Sequence, residues 1–308
     1  MTSKGRVPTH SIFYHRVADD QPNPWTMTRD QFKRQIDWFQ KEFDLVSLAE
    51  LQRRIDSGFN DRPTLAITFD DGYAENCEYA LPLLIERKIP VCYFITIDNV
   101  IRQAPFPHDV ELGQNLPVNT IESLRGLSNS GIEIGAHTRP HLDLGQVSDS
   151  ALLADEVIQA SHEIEELIGK PVQYFAFPFG QRENLNHGVF SMLKEHGFLG
   201  VCSAYGGWNN IGGDSFHIHR IHGDPSFERI KNWFSFDPRV ARVKPYKYER
   251  RASRRDGSGD PTQIHEISET PEGISADAPE TTAVPKNIAA SVAPENISAI
   301  NPSQVPTD

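Results

Sequence analysis

Short apolar runs alternate with helix-like segments from residue 11 to residue 234, and this alternation restricts the chain more than any other feature. The runs SIFYHRV, TLAITF, VCYFIT, IEIGAH, YFAFPFG, FLGVCSA and FHIHRIHG are rich in β-branched and aromatic residues, as strands are. Between them lie amphipathic stretches. In TRDQFKRQIDWFQKEF (28–43), Phe32, Ile36 and Phe39 share one helical face behind an N-cap at Thr28. SDSALLADEVIQASHEIEELIG (148–169) reads as one long helix. Consecutive strands separated by helices pair in parallel through crossovers, and six or seven such units favour a closed α/β barrel over an open sheet. No GxGxxG follows the first strand, so dinucleotide binding has no specific support. In a parallel barrel the site belongs at the C-terminal ends of the strands.

The alternation stops near residue 244, and composition explains why. Residues 249–308 contain no Phe, Trp, Tyr, Leu, Met or Cys. Such a segment cannot bury enough apolar surface to offset its ordering entropy. The expected organisation is therefore a barrel domain over 1–244 and a disordered tail over 245–308. The tail opens on a basic cluster (Arg250, Arg251, Arg254 and Arg255), read as a solvated linker or, alternatively, as a weak contact for an anionic membrane surface. A formal charge of −12 argues against a nucleic-acid partner. Three separated cysteines suggest reduced thiols, and no secretory h-region or membrane-spanning stretch is seen, so a cytoplasmic location is expected.

Two polar constellations sit where strands end. TLAITF runs into Asp70, Asp71 and Gly72, two adjacent carboxylates that repel unless a cation lies between or beside them. A helix N-cap is the ordinary use of such residues. After IEIGA come His137 and His141, four apart with Pro140 preventing regular helix. Two imidazoles and one carboxylate make a three-ligand set with open coordination positions, the arrangement of catalytic rather than structural metal sites. A third piece, FAFPFG (175–180), ends in a turn able to aim the backbone N–H of Phe179 into the barrel mouth as an oxyanion donor.

TFDDG, then HTRPH, then FPFG, in that order, resemble the first three motifs of the polysaccharide deacetylases, the NodB-homology or carbohydrate esterase family 4 group. FYHRV and the run from Thr28 to Leu51 are similar to the N-terminal part of the exopolysaccharide-associated branch. The resemblance spans residues 8–238 and implies a distorted (β/α) barrel of about seven units. It also implies that Asp71, His137 and His141 bind one divalent ion, with zinc the first choice and Co, Ni, Mn or Fe the others. Asp70 becomes the general base, and Thr138 holds the histidine loop by a side-chain hydrogen bond. The chain departs from the family at Ala176, where many members carry an arginine, and it lacks a later DxxDW. Arg220 is the candidate to supply the missing cation from another strand. His222, with His219 as second choice, is the candidate acid, and His15 at the end of the first run is expected to line the site.

The implied reaction removes N-acetyl groups from an N-acetylated amino-sugar polysaccharide or oligosaccharide. The motifs alone also admit a metal-dependent hydrolase of a non-sugar C–N bond, and the departures admit a non-catalytic glycan-binding descendant. Aromatics in APFPHDVELG (104–113) and at Trp208 are expected to favour a saccharide by stacking.

Overall fold

The computed structural model describes residues 5–235 and 237–248. Its centre is a set of parallel strands: β1 (Thr9–Tyr14), β2 (Thr64–Phe69), β3 (Val91–Ile95), β4 (Glu133–Ala136), β5 (Tyr174–Ala176), β6 (Gly200–Ser203), β7 (His217–His219) and β8 (Ile221–His222). Among the described residues they are ordered β7-β6-β5-β4-β3-β2-β1-β8. The two ends of that order are one stretch of chain. β7 pairs with β6, then β8 pairs with β1 through Ile12↔Ile221 and Phe13↔His222, and only Arg220 lies between. The barrel thus closes where FHIHRIHG changes partners, which is why this run forms two short strands rather than the single one its alternation suggests.

Asn209 bonds across the seam. Its side chain exchanges hydrogen bonds with the backbone of His219 at 2.9 and 3.0 Å, while its backbone does the same with Thr9 at 2.9 and 3.0 Å. A gap that a ladder leaves unpaired is filled by an amide carrying both a donor and an acceptor.

Alternation along the strands divides the core in two. Ile12, Tyr14, Ile67, Phe69, Tyr93, Ile95 and Phe175 face outward and pack with Phe32, Ile36 and Phe39, all three from the helix Arg29–Glu42, which opens on the expected Thr28 in a capping box with Gln31. Ala66, Cys92, Phe94, Ala176 and Cys202 form a second cluster that includes Leu48, Leu51 and Ile55 from the helix Leu48–Asp56. In that helix Gln52 accepts from Tyr174 Oη (2.7 Å) and donates to the carbonyls of Leu199 and Ser215.

Three other segments differ from the sequence reading. The stretch 73–88 begins as a 3-10 turn (Ala74–Cys77) before the helix Ala80–Glu86. The region 97–118 is not a plain loop but carries the helices Ile97–Arg102 and Pro107–Glu111. The long helix is interrupted by a π turn at Asp155–Gln159, beside which Glu156 accepts the backbone N–H of Arg139 at 3.0 Å. In the stretch assigned to the tail, the rings of Tyr246 and Tyr248 stack on Phe190 at 5.6 and 4.2 Å. The rest of that stretch, with its basic cluster, lies outside the described residues. No described helix is long and apolar enough to cross a membrane.

Candidate metal and deacetylase site

At the C-terminal end of β2 the chain turns sharply: Asp71 has φ +75° and Gly72 φ +94°. Left-handed backbone at a non-glycine residue is uncommon and costs energy, so it persists only where the surroundings enforce it. The strand-end turn separates the two carboxylates, and each finds a different environment.

Asp70 meets Arg220. The guanidinium, wholly buried, donates to both carboxylate oxygens at 2.6 and 2.8 Å and also to Thr68 Oγ1 and the Ser203 carbonyl. Phe13 and Phe94 lie 4.6 and 5.3 Å from its centre. Burial pushes the Asp70 carboxyl upward, but the charge and hydrogen bonds of Arg220 prevail and hold it below the usual carboxylate range. A bidentate fork suits this task. Arg220 therefore stands beside Asp70 from the β7–β8 junction, while Ala176, where the resemblance leads one to expect an arginine, ends β5.

Asp71 has the opposite surroundings. Its Oδ1 is buried and has no hydrogen-bond partner among the described residues, and burial followed by the charges of Asp70 and Asp109 drives its carboxyl well above the ordinary range. The same oxygen lies 3.6 Å from His137 Nε2 and 3.5 Å from His141 Nε2. Those separations are too long for hydrogen bonds. They match ligands about 2.1 Å from a shared ion, which stand roughly 3–3.5 Å from one another. Among the described residues Asp71, His137 and His141 offer ligand atoms within 4.8 Å of one another, a group able to hold a metal ion. His137 Nδ1 lies 2.7 Å from the Ala176 carbonyl and must donate its proton there, which leaves Nε2 as a lone pair toward Asp71.

The histidine loop is built to hold this geometry. Thr138 (φ +61°) and His141 (φ +67°) both adopt left-handed backbone. Thr138 Oγ1 accepts the N–H of Leu142 at 2.9 Å, the loop bond expected of it. Arg139 fastens the loop from behind through Asp155, Glu163 and Asp98 at 3.0, 2.7 and 3.5 Å.

The other expected residues divide. Phe179 has φ +60° and is exposed, with its ring 4.8 Å from that of His141; its N–H donates to no group among the described residues. His15 is half-buried, 5.5 Å from the His222 ring, and its buried Nδ1 has no partner among the described residues. Burial, then the neighbouring His222, lower it to about 3, and it feels Asp70, His137 and Arg220 as well. His222 is also lowered by burial. His219 is instead hydrogen-bonded to Tyr205 Oη at 3.0 Å. Trp208 is not an exposed platform: it is half-buried against His10, and its indole donates to the Trp233 carbonyl at 2.9 Å. Trp25, 6.0 Å from His15, lines a small cleft with Met27 and His222. The sequence reading missed Trp25, together with Tyr73, His108 and Asp109; the only local hint was the polar pair His108–Asp109 inside an otherwise apolar PFPHDV.

Comparison with known proteins bears on the family and the fold. Residues 58–201 match the polysaccharide deacetylase family. That stretch is a polysaccharide deacetylase domain. The fold of the chain is similar to that of IcaB from Ammonifex degensii (22% identity, TM-score 0.61, 76% of this chain and 99% of that one). It is also similar to a de-N-acetylase from Aggregatibacter actinomycetemcomitans (21%, 0.59, 74% and 100%) and to the Streptococcus pyogenes deacetylase PplD, solved with acetate (16%, 0.62, 75% and 99%). No curated protein matches the chain. Polysaccharide deacetylases are hydrolases of non-peptide C–N bonds, which gives this domain its reaction class.

Proposed function

We propose that the chain is a metal-dependent deacetylase that hydrolyses the N-acetyl group of an amino-sugar polysaccharide or oligosaccharide, with Asp71, His137 and His141 as the metal ligands. The observation that carries this reading is the buried, unpartnered Oδ1 of Asp71 facing two imidazole nitrogens at 3.5 and 3.6 Å. A divalent ion held there, zinc being the first choice for two imidazoles and a carboxylate, supplies a polarised acetamide carbonyl and an acidified water.

The remaining work falls to the chain itself. Asp70, kept ionised by Arg220, accepts the proton of the attacking water, and the Arg220 fork restrains the carboxylate at two oxygens. The N–H of Phe179, held outward by the φ +60° turn, donates to the oxygen that gains charge. Proton donation to the leaving amine belongs to the His15–His222 pair. Their rings lie 5.5 Å apart, and both feel the charge of Asp70. Trp25 offers a face for a sugar ring at the mouth.

Acetate release from N-acetylated glucosamine oligomers, with and without chelator, tests the reading. Chelator-sensitive release supports it. Release from a non-sugar amide alone favours the other hydrolase class, and binding with no release favours a glycan-binding role.

A further inference from the structure

Close to the metal-ligand candidates lies a polar chain that the metal-and-base reading does not use. Asp109 is completely buried. Its Oδ1 accepts from Asn23 Nδ2 at 2.8 Å, and its Oδ2 accepts from Tyr73 Oη at 2.7 Å. A carboxylate only accepts, so the tyrosine proton is committed to Asp109. His108 Nε2 lies 3.1 Å from that same tyrosine oxygen. With the hydroxyl proton already spent, the oxygen can only accept there, so Nε2 of His108 carries the proton and Nδ1 of the neutral ring carries the lone pair. The ring is stacked on Phe106 (centroids 5.3 Å, planes 16° apart) and stands 6.4 Å from the ring of the metal-ligand candidate His141.

The His108 side chain is 35% exposed, while Asp109 and Tyr73 behind it are buried. Nδ1 makes no bond within the described residues. A half-open imidazole whose tautomer is fixed by three groups behind it is arranged to receive a hydrogen bond from something outside the chain. Asn23 also ties the arrangement to the segment that carries Trp25, because its Oδ1 accepts the N–H of Trp25 at 3.0 Å.

We infer that His108 is a substrate-binding residue whose Nδ1 accepts a hydrogen bond from a hydroxyl of the sugar seated over the Asp71–His137–His141 group, with Tyr73, Asp109 and Asn23 positioning it. This inference rests on the deacetylase reading and adds to it the part that distinguishes a saccharide from a bare acetyl group. A site built to bond a substrate hydroxyl discriminates against substrates lacking it, because its own polar group is then left unpaired.

The test compares two substrates on the metal-loaded enzyme: an N-acetylated glucosamine oligomer, and an aryl acetate, which carries no hydroxyl. For His108→Ala, kcat/KM on the oligomer should fall about 10-fold, chiefly through KM, while kcat/KM on the aryl acetate stays within about twofold of the parent. His108→Gln, which restores an acceptor, should recover part of the oligomer loss. An equal loss on both substrates, or none on the oligomer, overturns the inference and leaves the deacetylase reading standing. A parent enzyme that releases acetate from neither substrate would instead overturn the reading on which it rests.

Discussion

At the scale of single residues, the account turns on how a buried arginine and two adjacent aspartates share their charges. Arg220 and Asp70 form a fully enclosed pair, and removing one partner of such a pair leaves an uncompensated charge costing about 3–5 kcal/mol. Arg220→Ala should therefore lower both stability, read by urea melts, and kcat/KM, by about 100-fold or more. Arg220→Lys, which keeps the charge but loses the fork, should be intermediate in activity. An active, stable Arg220→Ala enzyme would remove the role of this residue. The ligand and base candidates were legible in the sequence because TFDDG and HTRPH each fit within a few residues. Arg220 could be named there only by its strand-end position. Its pairing with Asp70 spans 150 residues and depends on where β7 hands over to β8. Trp25 and His108 were not legible, since nothing local reports which loops meet over a barrel.

Among the elements, the histidine loop is the most dependent on its supports. It carries two non-glycine residues in left-handed backbone, and Arg139 binds it to the acids Asp98, Asp155 and Glu163. Groups that hold ligands in place typically contribute 10–100-fold to metal affinity. Arg139→Ala should weaken zinc binding by that order in a competition titration, with little change in the melting temperature because Arg139 lies near the surface. Unchanged affinity would mean that the backbone alone fixes the loop. Helix positions were read well where an amphipathic face and a cap coincide, as at Thr28 with Phe32, Ile36 and Phe39. The π turn at Asp155–Gln159 was not, because the sequence through it keeps an unbroken helical pattern.

For the whole molecule, the barrel was legible from the alternation of strands and helices, but the place where it closes was not, since a single run serves both edges of the sheet. The barrel also carries a liability at the start of β4 that grows as pH rises. Burial pushes the Glu133 carboxyl up to about 7. Its folded value lies above the unfolded value of 4.5, so the protonated form is favoured in the folded state and stability falls as pH rises from 4.5 through 7. A shift of this size corresponds to about 3 kcal/mol. Glu133→Gln should match the parent in urea melts near the lower end of that range and exceed it by about 2–3 kcal/mol above pH 7. A difference that does not change with pH would show that Glu133 is not the titrating group.

The central claim is one divalent ion held by Asp71, His137 and His141, with Asp70 acting on the substrate water rather than on the ion. Elemental analysis of purified parent, Asp70→Asn and Asp71→Asn enzymes, paired with acetate release, tests it most directly. The account predicts about one ion per chain in the parent and in Asp70→Asn, its loss in Asp71→Asn, and no turnover in either variant. A metal-free parent with full activity, or an Asp70→Asn enzyme that loses its metal along with its turnover, would contradict it.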